Sequence, residues 1–461
     1  MLAGAGSGKT RVIVHKIARL LEAGYAPAQI AAITFTNKAA AEMRARARAL
    51  VGGRAASRLA VSTFHALGVR ILREDGERLG LAANFSIFDS DDVLGVLKDA
   101  GGTTDNAVAR RWQWAISGWK NRGLASAAAE AEVLAGAHDG KSADDALVAA
   151  RVMRRYEERL QAYRAADFDD LVVLPMRLLA EHDDLRDAWR DRLRYLLVDE
   201  YQDTNGVQYE LMKLLAGPRG AFTAVGDDDQ SIYGWRGATI ENLRRLPVDY
   251  PKLTVIPLEQ NYRSTGSILA AANAVIGHNP KLFEKKLWSE LGKGEPVVLV
   301  ECDDEVHEAE RAVARIESLR ASGAAFGDIA ILYRANHQAR VFEQALQKAG
   351  IPYKVSGGQS FFERAEIRDL CAWLRLLVND DDDPAFLRAA TSPKRGIGHQ
   401  TLAALGSFAP RWKSSLFAAL FADSLADALP RRAIQSTKSS TFVQRASASA
   451  GESSPLRRCA S

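Results

Sequence analysis

The sequence predicts an α/β protein built on parallel sheets, with helical segments inserted between the strands. Short apolar runs alternate with helical patterns in about the first 80 residues, and strand-like runs return after residue 190. Residues 30–36 have the composition of a buried strand and lead into a helix that begins at Asn37, and residues 59–64 are expected to form the next strand. Alternation of strands and helices is typical of a parallel sheet.

The later elements are predicted from the same patterns. Residues 86–190 are rich in alanine, arginine and leucine with few β-branched runs, which predicts a helical insertion. Further strands are expected at residues 195–199, 221–225, 253–258, 297–300 and 329–333. After Gly357-Gly358, interpreted as a hinge, the pattern is helical to about residue 429. Residues 430–461 are serine-rich, basic and poor in apolar residues, so we expect disorder there.

The composition excludes several classes of protein. A length of 461 residues suggests about two to four domains, and 47% hydrophobic with 26% charged residues is usual for a globular chain. No apolar run reaches the roughly 20 residues of a membrane span. The cysteines, Cys302, Cys371 and Cys459, are too far apart for a disulfide framework or a zinc site. With a glycine-rich loop at the very start in place of a signal peptide, a cytoplasmic protein is expected.

The net charge of +4 gives no indication of a nucleic-acid partner. Residues 431–461 contain six basic residues and one acidic residue, a charge of +5, so the other 430 residues sum to −1. Any argument for nucleic-acid binding must therefore come from local motifs.

A glycine-rich loop precedes an amphipathic helix at the start of the chain, which is the Walker A arrangement. Its backbone N–H groups would surround phosphate oxygens, Lys9 would reach the β and γ phosphates, and Thr10 would give a hydroxyl to Mg²⁺. Only Met1 and Leu2 precede the loop, so we expect the strand that normally anchors it to be missing from this chain. The residues predicted to bind nucleotide here are Ala3, Gly4, Ala5, Gly6, Ser7, Gly8, Lys9 and Thr10.

A second motif, Tyr195-Leu-Leu-Val-Asp-Glu-Tyr-Gln-Asp203, is an apolar strand that ends in carboxylates, as in a Walker B motif. Asp199 would hold Mg²⁺, directly or through water, and Glu200 would polarise the attacking water as general base. Acidic pairs at strand ends are common on protein surfaces, but together with the phosphate loop this pair indicates nucleotide hydrolysis.

Three segments resemble motifs of the superfamily 1 DNA helicases of the UvrD/Rep/PcrA type, and they occur in the family's order. They are Asp199-Glu-Tyr-Gln-Asp203, Val225-Gly-Asp-Asp-Asp-Gln-Ser-Ile-Tyr-Gly-Trp-Arg-Gly237 and Leu258-Glu-Gln-Asn-Tyr-Arg-Ser264. The resemblance covers about residues 1–429. It implies a P-loop NTPase with two RecA-like motor domains, the second incomplete, and inserted helical subdomains.

The implied domain boundaries follow from the positions of these motifs. The first motor domain would comprise residues 1–85 and 191–275, the helical insertion 86–190, the partial second motor domain 276–356, the partial accessory helical subdomain 357–429, and an aberrant or disordered tail 430–461.

The resemblance also implies roles for single residues. Gln230 is similar to the glutamine that senses the γ-phosphate and links it to the DNA site. Arg263 is similar to an arginine finger, which neutralises charge in the transition state. Tyr262 is similar to a residue that stacks on adenine, and Arg11 is a further candidate contact with the nucleotide. ATP and Mg²⁺ are the cofactors implied.

Single-strand binding needs aromatic faces for the bases and a polar path for the phosphates. Phe35 and Trp235 are the candidates for base stacking. Thr36, Asn37, Thr63 and His65 are candidate contacts with the DNA backbone, because similar residues in the family's motifs touch single-stranded DNA. Phe64 is expected to pack in the core.

Two further segments carry open alternatives. Trp112, Trp114 and Trp119 lie among basic residues and could contact DNA, but we expect at least two of them in a helix core. Asp167-Phe-Asp-Asp170 also resembles a family motif, and we assign it a structural or coupling role without catalysis.

The resemblance implies an ATP-dependent helicase that moves 3′ to 5′ on single-stranded DNA in replication or repair. Its partners would be single-stranded DNA, duplex junctions and replication or repair proteins, with no membrane. The family's adenine motif before the loop and its two later motifs after Gly358 are not found, so a chain truncated at both ends is expected. The alternatives are an inactive fragment that retains ATP or DNA binding, a P-loop switch without motor function, and a helicase–nuclease, for which no nuclease carboxylate cluster is visible.

Overall fold

The computed structural model describes residues 1–136, 143–280, 282–356, 364–379, 382–392, 397, 399–409, 414–422 and 424–425. The predicted hinge at Gly357-Gly358 and the tail 430–461 lie outside these ranges. The chain divides into two compact units, one formed by residues 1–295 with 372–461 and the other by residues 296–371. Among the described helices, none combines the length and hydropathy that a membrane span requires.

The strands and helices have the following bounds. The strands are β1 (Leu2–Ala3), β2 (Ile30–Thr34), β3 (Ala60–Thr63), β4 (Ser86–Ile87), β5 (Ala165–Ala166), β6 (Tyr195–Val198), β7 (Phe222–Ala224) and β8 (Pro257–Leu258). The helices up to the second motif are α1 (Lys9–Glu22), α2 (Asn37–Val51), α3 (Gly53–Ala56), α4 (Phe64–Asp75), α5 (Ser90–Gly101), α6 (Asn106–Asn121), α7 (Ser126–Leu134), α8 (Ala143–Ala162), α9 (Asp170–Glu181) and α10 (Asp183–Arg192). The later helices are α11 (Gly206–Ala216), α12 (Glu241–Asp249), α13 (Gly266–Ile276), α14 (Glu305–Ala321), α15 (Ala339–Lys348), α16 (Ala365–Val378), α17 (Asp383–Thr391), α18 (His399–Phe408) and α19 (Leu416–Ala419).

The centre of the first unit is a parallel four-stranded sheet in the order β3-β2-β6-β7. Successive residues of β2 alternate between two apolar clusters, because neighbouring side chains of a strand point to opposite faces. Ile30 and Ala32 pack with α1 and α2, whereas Ala31 and Ile33 pack with α4, α9 and α11. Burial on both faces explains the continuous apolar runs in the sequence, and the predicted α/β fold is confirmed.

The register of the sheet brings the ends of several strands to one edge. Thr34 pairs with Thr63 and Ile33 pairs with Val198, so the segments that follow β2, β3 and β6 begin side by side. This carboxyl edge is where parallel α/β sheets usually bind ligands.

Near the start of the chain the structure corrects one prediction. The strand before the phosphate loop is present in short form, since Leu2–Ala3 (β1) pairs in parallel with Pro257–Leu258 (β8). Leu2 also bridges to Gly226, and the Met1 ammonium donates to the carbonyl of Ala224. Of the predicted strand at residues 253–258, only β8 forms.

The segment predicted as a helical insertion is helical over most of its length, and its helices pack around an apolar core. Helices α5 to α8 pack around a cluster in which Trp112 and Trp119 are buried, whereas Trp114 is 70% exposed. Two of the three tryptophans therefore lie in the core, as expected. Helices α17 to α19 contribute to the same cluster, and Arg388 pairs with Asp89 and Asp92 at 3.3 and 3.4 Å.

In the second unit, α14 and α15 pack through Val313, Ile316 and Leu346. The strands predicted at residues 297–300 and 329–333 were wrong, because neither segment pairs with another within the described part of the chain. Leu299 and Leu332 are 97% and 93% exposed. A strand requires a ladder partner as well as an apolar sequence, and the prediction considered only the sequence.

Candidate functional site

The loop between β1 and α1 has the backbone of a phosphate-binding loop. Gly6 and Gly8 adopt left-handed φ angles of 70° and 86°, and Gly8 caps the N-terminus of α1. A Cβ on Gly6 would lie 2.5 Å from the amide nitrogen of Asn261, so that position has no room for a side chain. The loop therefore presents its backbone at the positive end of α1, a helix of 14 residues, which is the arrangement that binds phosphate.

Lys9 and Glu200 meet across this loop. The ammonium of Lys9 lies 2.9 Å from Oε2 of Glu200, and its side chain is only 10% exposed. Glu200 follows β6 with a left-handed φ of 49°, a strained conformation for a residue with a side chain. The predicted phosphate-binding lysine and the predicted general base therefore lie in direct contact.

Asp199 is buried beside this pair, and its backbone N–H donates to the carbonyl of Ile33 at 2.8 Å. Burial, together with the neighbouring charge of Glu200, raises the pKa of its carboxyl to about 6. The same causes, burial first, raise the pKa of Asp203 to about 6. Within the described residues, Oδ1 of Asp203 is buried without a hydrogen-bond partner.

These groups fit a nucleotide with its Mg²⁺. Hydroxyl and carboxylate oxygens are the ligands Mg²⁺ prefers, and Thr10 and Asp199 supply them. Burial is the main cause of the raised pKa values of Asp199 and Asp203, with the charge of Glu200 second, and a bound cation would favour the ionised form of both carboxyls.

A chain of hydrogen bonds leads from Glu200 to Gln230. The amide of Gln202 donates to Oε2 of Glu200 at 3.0 Å, and its carbonyl oxygen accepts from the backbone N–H of Asp227 at 2.9 Å. Gln230 in turn donates to Oδ2 of Asp227. Gln202, 1% exposed, was not predicted as a site residue, although it lies inside the quoted second motif.

The segment that follows β8 is hydrogen-bonded to the phosphate loop. Asn261 donates to the carbonyl of Ala5 at 2.6 Å, and its Oδ1 accepts from the backbone N–H groups of Arg263 and Ser264 at 2.8 and 2.7 Å. The N–H of Tyr262 donates to the carbonyl of Gly6 at 2.9 Å. The predicted residues Tyr262 and Arg263 thus lie against the phosphate loop. Asn261, which fixes them, was missed.

The side chains of Tyr262 and Arg263 are exposed. Arg11, the remaining predicted nucleotide contact, lies in the first turn of α1 and is exposed as well. Tyr262 is 65% exposed, and its hydroxyl donates to Gln260 at 2.9 Å. The side chains of Tyr262, Arg263 and Arg11 are therefore accessible from solvent.

An aromatic cluster lies on the same sheet edge. The ring centroids of Phe35 and Tyr233 are 5.1 Å apart, and those of Tyr233 and Trp235 are 6.2 Å apart. The guanidinium of Arg236 lies 4.6 Å from the ring of Trp235, which is 71% exposed. The two predicted stacking residues are thus joined through Tyr233, which was missed although it lies in a quoted motif. An exposed tryptophan beside two partly buried rings and a cation provides the elements of a single-strand binding platform.

The predicted backbone-contact residues lie at two adjacent helix starts. Thr36 and Thr63 cap α2 and α4, and their hydroxyls accept from Ala39 and Ala66 at 3.1 and 3.2 Å. Asn37 is the exposed first residue of α2. Since both hydroxyls already serve as caps, these helix starts would offer phosphates mainly their remaining backbone N–H groups.

His65, in the first turn of α4, stacks on Phe168 with ring centroids 4.0 Å apart. Burial lowers the pKa of His65 to about 4, so it is neutral at physiological pH. Phe168 is 60% exposed. It was not predicted as a site residue, although it lies inside the quoted motif Asp167-Phe-Asp-Asp170. Phe64 is buried in the core, as predicted.

The aspartates around Phe168 form a buried ion cluster. Lys120 donates to Asp167 and Asp170 at 2.7 Å each, and the hydroxyl of Tyr156 donates to Asp167 at 2.8 Å. Burial and the charge of Asp167 raise the pKa of Asp170 to about 7, although the ammonium of Lys120 acts in the opposite direction. This cluster ties α6 and α8 to the start of α9, which agrees with the predicted structural role.

Together, the sheet order, the phosphate loop and the carboxylates after β6 define a P-loop protein with a RecA-like sheet. Comparison with known sequences then identifies the family: the chain belongs to the UvrD/REP helicase family. Residues 1–251 match the UvrD/REP helicase N-terminal domain, and residues 256–421 match the UvrD-like helicase C-terminal domain. The predicted family is confirmed.

Individual relatives agree with this assignment. The chain is 48% identical to the ATP-dependent DNA helicase Rep of Salmonella typhimurium over 441 residues, which are 95% of this chain and 64% of the relative. It is 48% identical to that of Escherichia coli over 437 residues, 94% of this chain and 64% of the relative. It is 42% identical to the ATP-dependent DNA helicase PcrA of Leuconostoc citreum over 452 residues, 96% of this chain and 59% of the relative. The chain thus spans slightly less than two thirds of the length of these relatives.

Proposed function

We propose that this chain carries the ATP site and the single-stranded DNA site of a 3′-to-5′ DNA helicase that acts in replication or repair in the cytoplasm. One observation carries the proposal. Gln230, which is linked to the Lys9–Glu200 pair, and Trp235, which belongs to the aromatic cluster, lie five residues apart on the same loop. A single short segment therefore connects the two sites.

At the nucleotide, each side chain has a distinct task. Lys9 would place its ammonium on the β and γ phosphates of ATP, after leaving Glu200. Glu200, once freed, would orient the attacking water and accept its proton. Arg263, held at the loop by Asn261, would offset the negative charge that develops on the transferred phosphoryl group. Mg²⁺, held by Thr10 and Asp199, would supply further charge neutralisation at the phosphates.

At the DNA, Phe35, Tyr233 and Trp235 would stack on unpaired bases, and Phe168 with His65 would offer a second aromatic surface. Stacking of this kind contributes about 1–3 kcal/mol per base and is tolerant of sequence. The loop that contains Gln230 and Trp235 would transmit the presence of the γ-phosphate to the stacked bases, and cycles of binding and hydrolysis would move the chain along one strand. The 3′-to-5′ direction rests on the family resemblance.

The test is strand separation on two matched DNA substrates, one duplex with a 3′ single-stranded tail and one with a 5′ tail. The proposal predicts ATP-dependent unwinding of the 3′-tailed duplex alone. Unwinding of the 5′-tailed duplex alone would refute the polarity. Binding of ATP and DNA without unwinding of either substrate would support the alternative that this chain is an inactive fragment.

A further inference from the structure

Lys285 lies at the centre of three consecutive aspartates. Its ammonium contacts carboxylate oxygens of Asp227 and Asp228 and lies 3.1 Å from Oδ2 of Asp229. The Lys285 side chain is 6% exposed, and those of Asp227 and Asp228 are 3% and 2% exposed. Oxygens of the three carboxylates all lie within 4.8 Å of one another, so without this cation they would repel each other.

Lys285 contacts the loop that contains Gln230. Asp227 is the acceptor for the amide of Gln230 through Oδ2, while its Oδ1 accepts from Lys285. The two oxygens of one carboxylate therefore join Lys285 to Gln230. The backbone N–H of Asp227 is also held by Gln202, so the position of this carboxylate is fixed from both sides.

The segment around Lys285 is anchored at Asp228 of this cluster and, independently of the aspartates, at Glu259. The backbone N–H of Phe283 donates to Asp228 at 3.3 Å, that of Lys286 donates to Glu259 at 3.0 Å, and that of Trp288 donates to the carbonyl of Glu259 at 3.2 Å. Lys285 thus reaches the loop from a segment that is itself tied to the chain just after β8.

We propose that Lys285 is a positioning residue that orients Gln230 toward the γ-phosphate through Asp227. This inference rests on the proposed function, because it assigns to Gln230 the recognition of the terminal phosphate of ATP. It adds a residue outside the motifs: without the ammonium, the Asp227 carboxylate would be repelled by its neighbours, and the amide of Gln230 would lose its fixed acceptor.

The experiment compares the affinity of the whole chain for two fluorescent nucleotides, a non-hydrolysable ATP analogue and ADP. Lys285→Met keeps the aliphatic stem and removes the charge. The matched control is Lys286→Met, at the neighbouring exposed lysine. We expect Lys285→Met to weaken binding of the ATP analogue about tenfold, the size of one lost hydrogen bond to a charged group, with ADP affinity unchanged. Lys286→Met should change neither affinity, and Lys285→Arg should restore most of the loss.

A double-mutant cycle separates positioning from a general structural role. If Lys285 acts through Gln230, Lys285→Met has no further effect on the ATP analogue in a Gln230→Ala background. Equal losses for both nucleotides, or undiminished losses in that background, would overturn the inference. If Lys285→Met does not fold, the same cycle is measured with Lys285→Met/Asp228→Asn, which removes one of the repelling carboxylates. A wild-type chain that binds neither nucleotide would instead overturn the proposed function, and this inference with it.

Discussion

Replacing Lys120 with methionine tests the buried ion cluster of the helical insertion. The ammonium is 2.7 Å from both Asp167 and Asp170, and the lysine side chain is 3% exposed. Methionine keeps the volume of the stem but leaves two adjacent carboxylates without a cation. The backbone N–H groups of Asp167 and Asp170, which bond to each other's carboxylates, keep them close together.

The size of the expected loss in the free energy of unfolding follows from the burial of Lys120, Asp167 and Asp170. Breaking a buried ion pair by removing one partner costs about 3–5 kcal/mol, whereas an exposed pair contributes about 0–1 kcal/mol. The exposed pair of Arg122 with Glu132, at 2.7 Å, supplies the control, because the arginine side chain is 54% exposed. Lys120→Met should therefore remove a large part of a total stability of about 5–15 kcal/mol, and Arg122→Met almost none.

The assay is urea unfolding followed by circular dichroism at pH 7.5. Asp170→Asn in the Lys120→Met background should recover part of the loss, because it removes the carboxylate whose pKa burial and Asp167 raise to about 7. A loss of stability for Lys120→Met no larger than that for Arg122→Met would refute the view that this cluster holds α6 and α8 to the start of α9.

Two further changes test the two binding sites, and a third tests stability at low pH. Trp235→Ala should weaken single-strand binding by about 1–3 kcal/mol at fixed salt. The control is Trp114→Ala, which changes an equally exposed tryptophan outside the aromatic cluster and should have a much smaller effect. Equal losses of affinity would refute stacking by Trp235. Asn261→Ala leaves two N–H groups and a carbonyl without their partner, so ATP turnover should fall at least tenfold with single-strand affinity unchanged; normal turnover would mean that the loop does not need this contact. The pKa of His65 is about 4 in the folded state and about 6.5 in the unfolded state, so the free energy of unfolding should fall as the pH drops from about 6.5 to about 4. His65→Gln should remove about 1–2 kcal/mol of the stability loss at pH 5. An unchanged dependence of stability on acid pH in this variant would contradict the prediction.

Much of the nucleotide site could be predicted from local sequence. The glycine-rich loop, the carboxylates after β6 and the strands around residues 30 and 60 each depend on neighbouring residues, and the structure places them as expected. The parallel register then explains why segments distant in sequence meet at one edge. Phe64 was assigned correctly to the core, although it is the first residue of α4 and not the last residue of the predicted strand.

The remaining parts depend on contacts that no local pattern contains. Lys285 meets Asp227 across 58 residues, and Asn261 meets Ala5 across 256. Neither pairing has a period or spacing that could be recognised in one sequence. The strand predicted at residues 329–333 failed for a related reason, because an apolar run forms a strand only where the fold supplies a partner.

The central claim is that one loop joins an ATP site to a DNA site, and hydrolysis measured with and without single-stranded DNA tests it most directly. ATP turnover by the 461-residue chain should rise when single-stranded DNA is added, and Lys9→Ala should abolish it, while Lys286→Ala should not. Turnover that is unaffected by DNA, or that survives in Lys9→Ala, would contradict the coupling of the two sites.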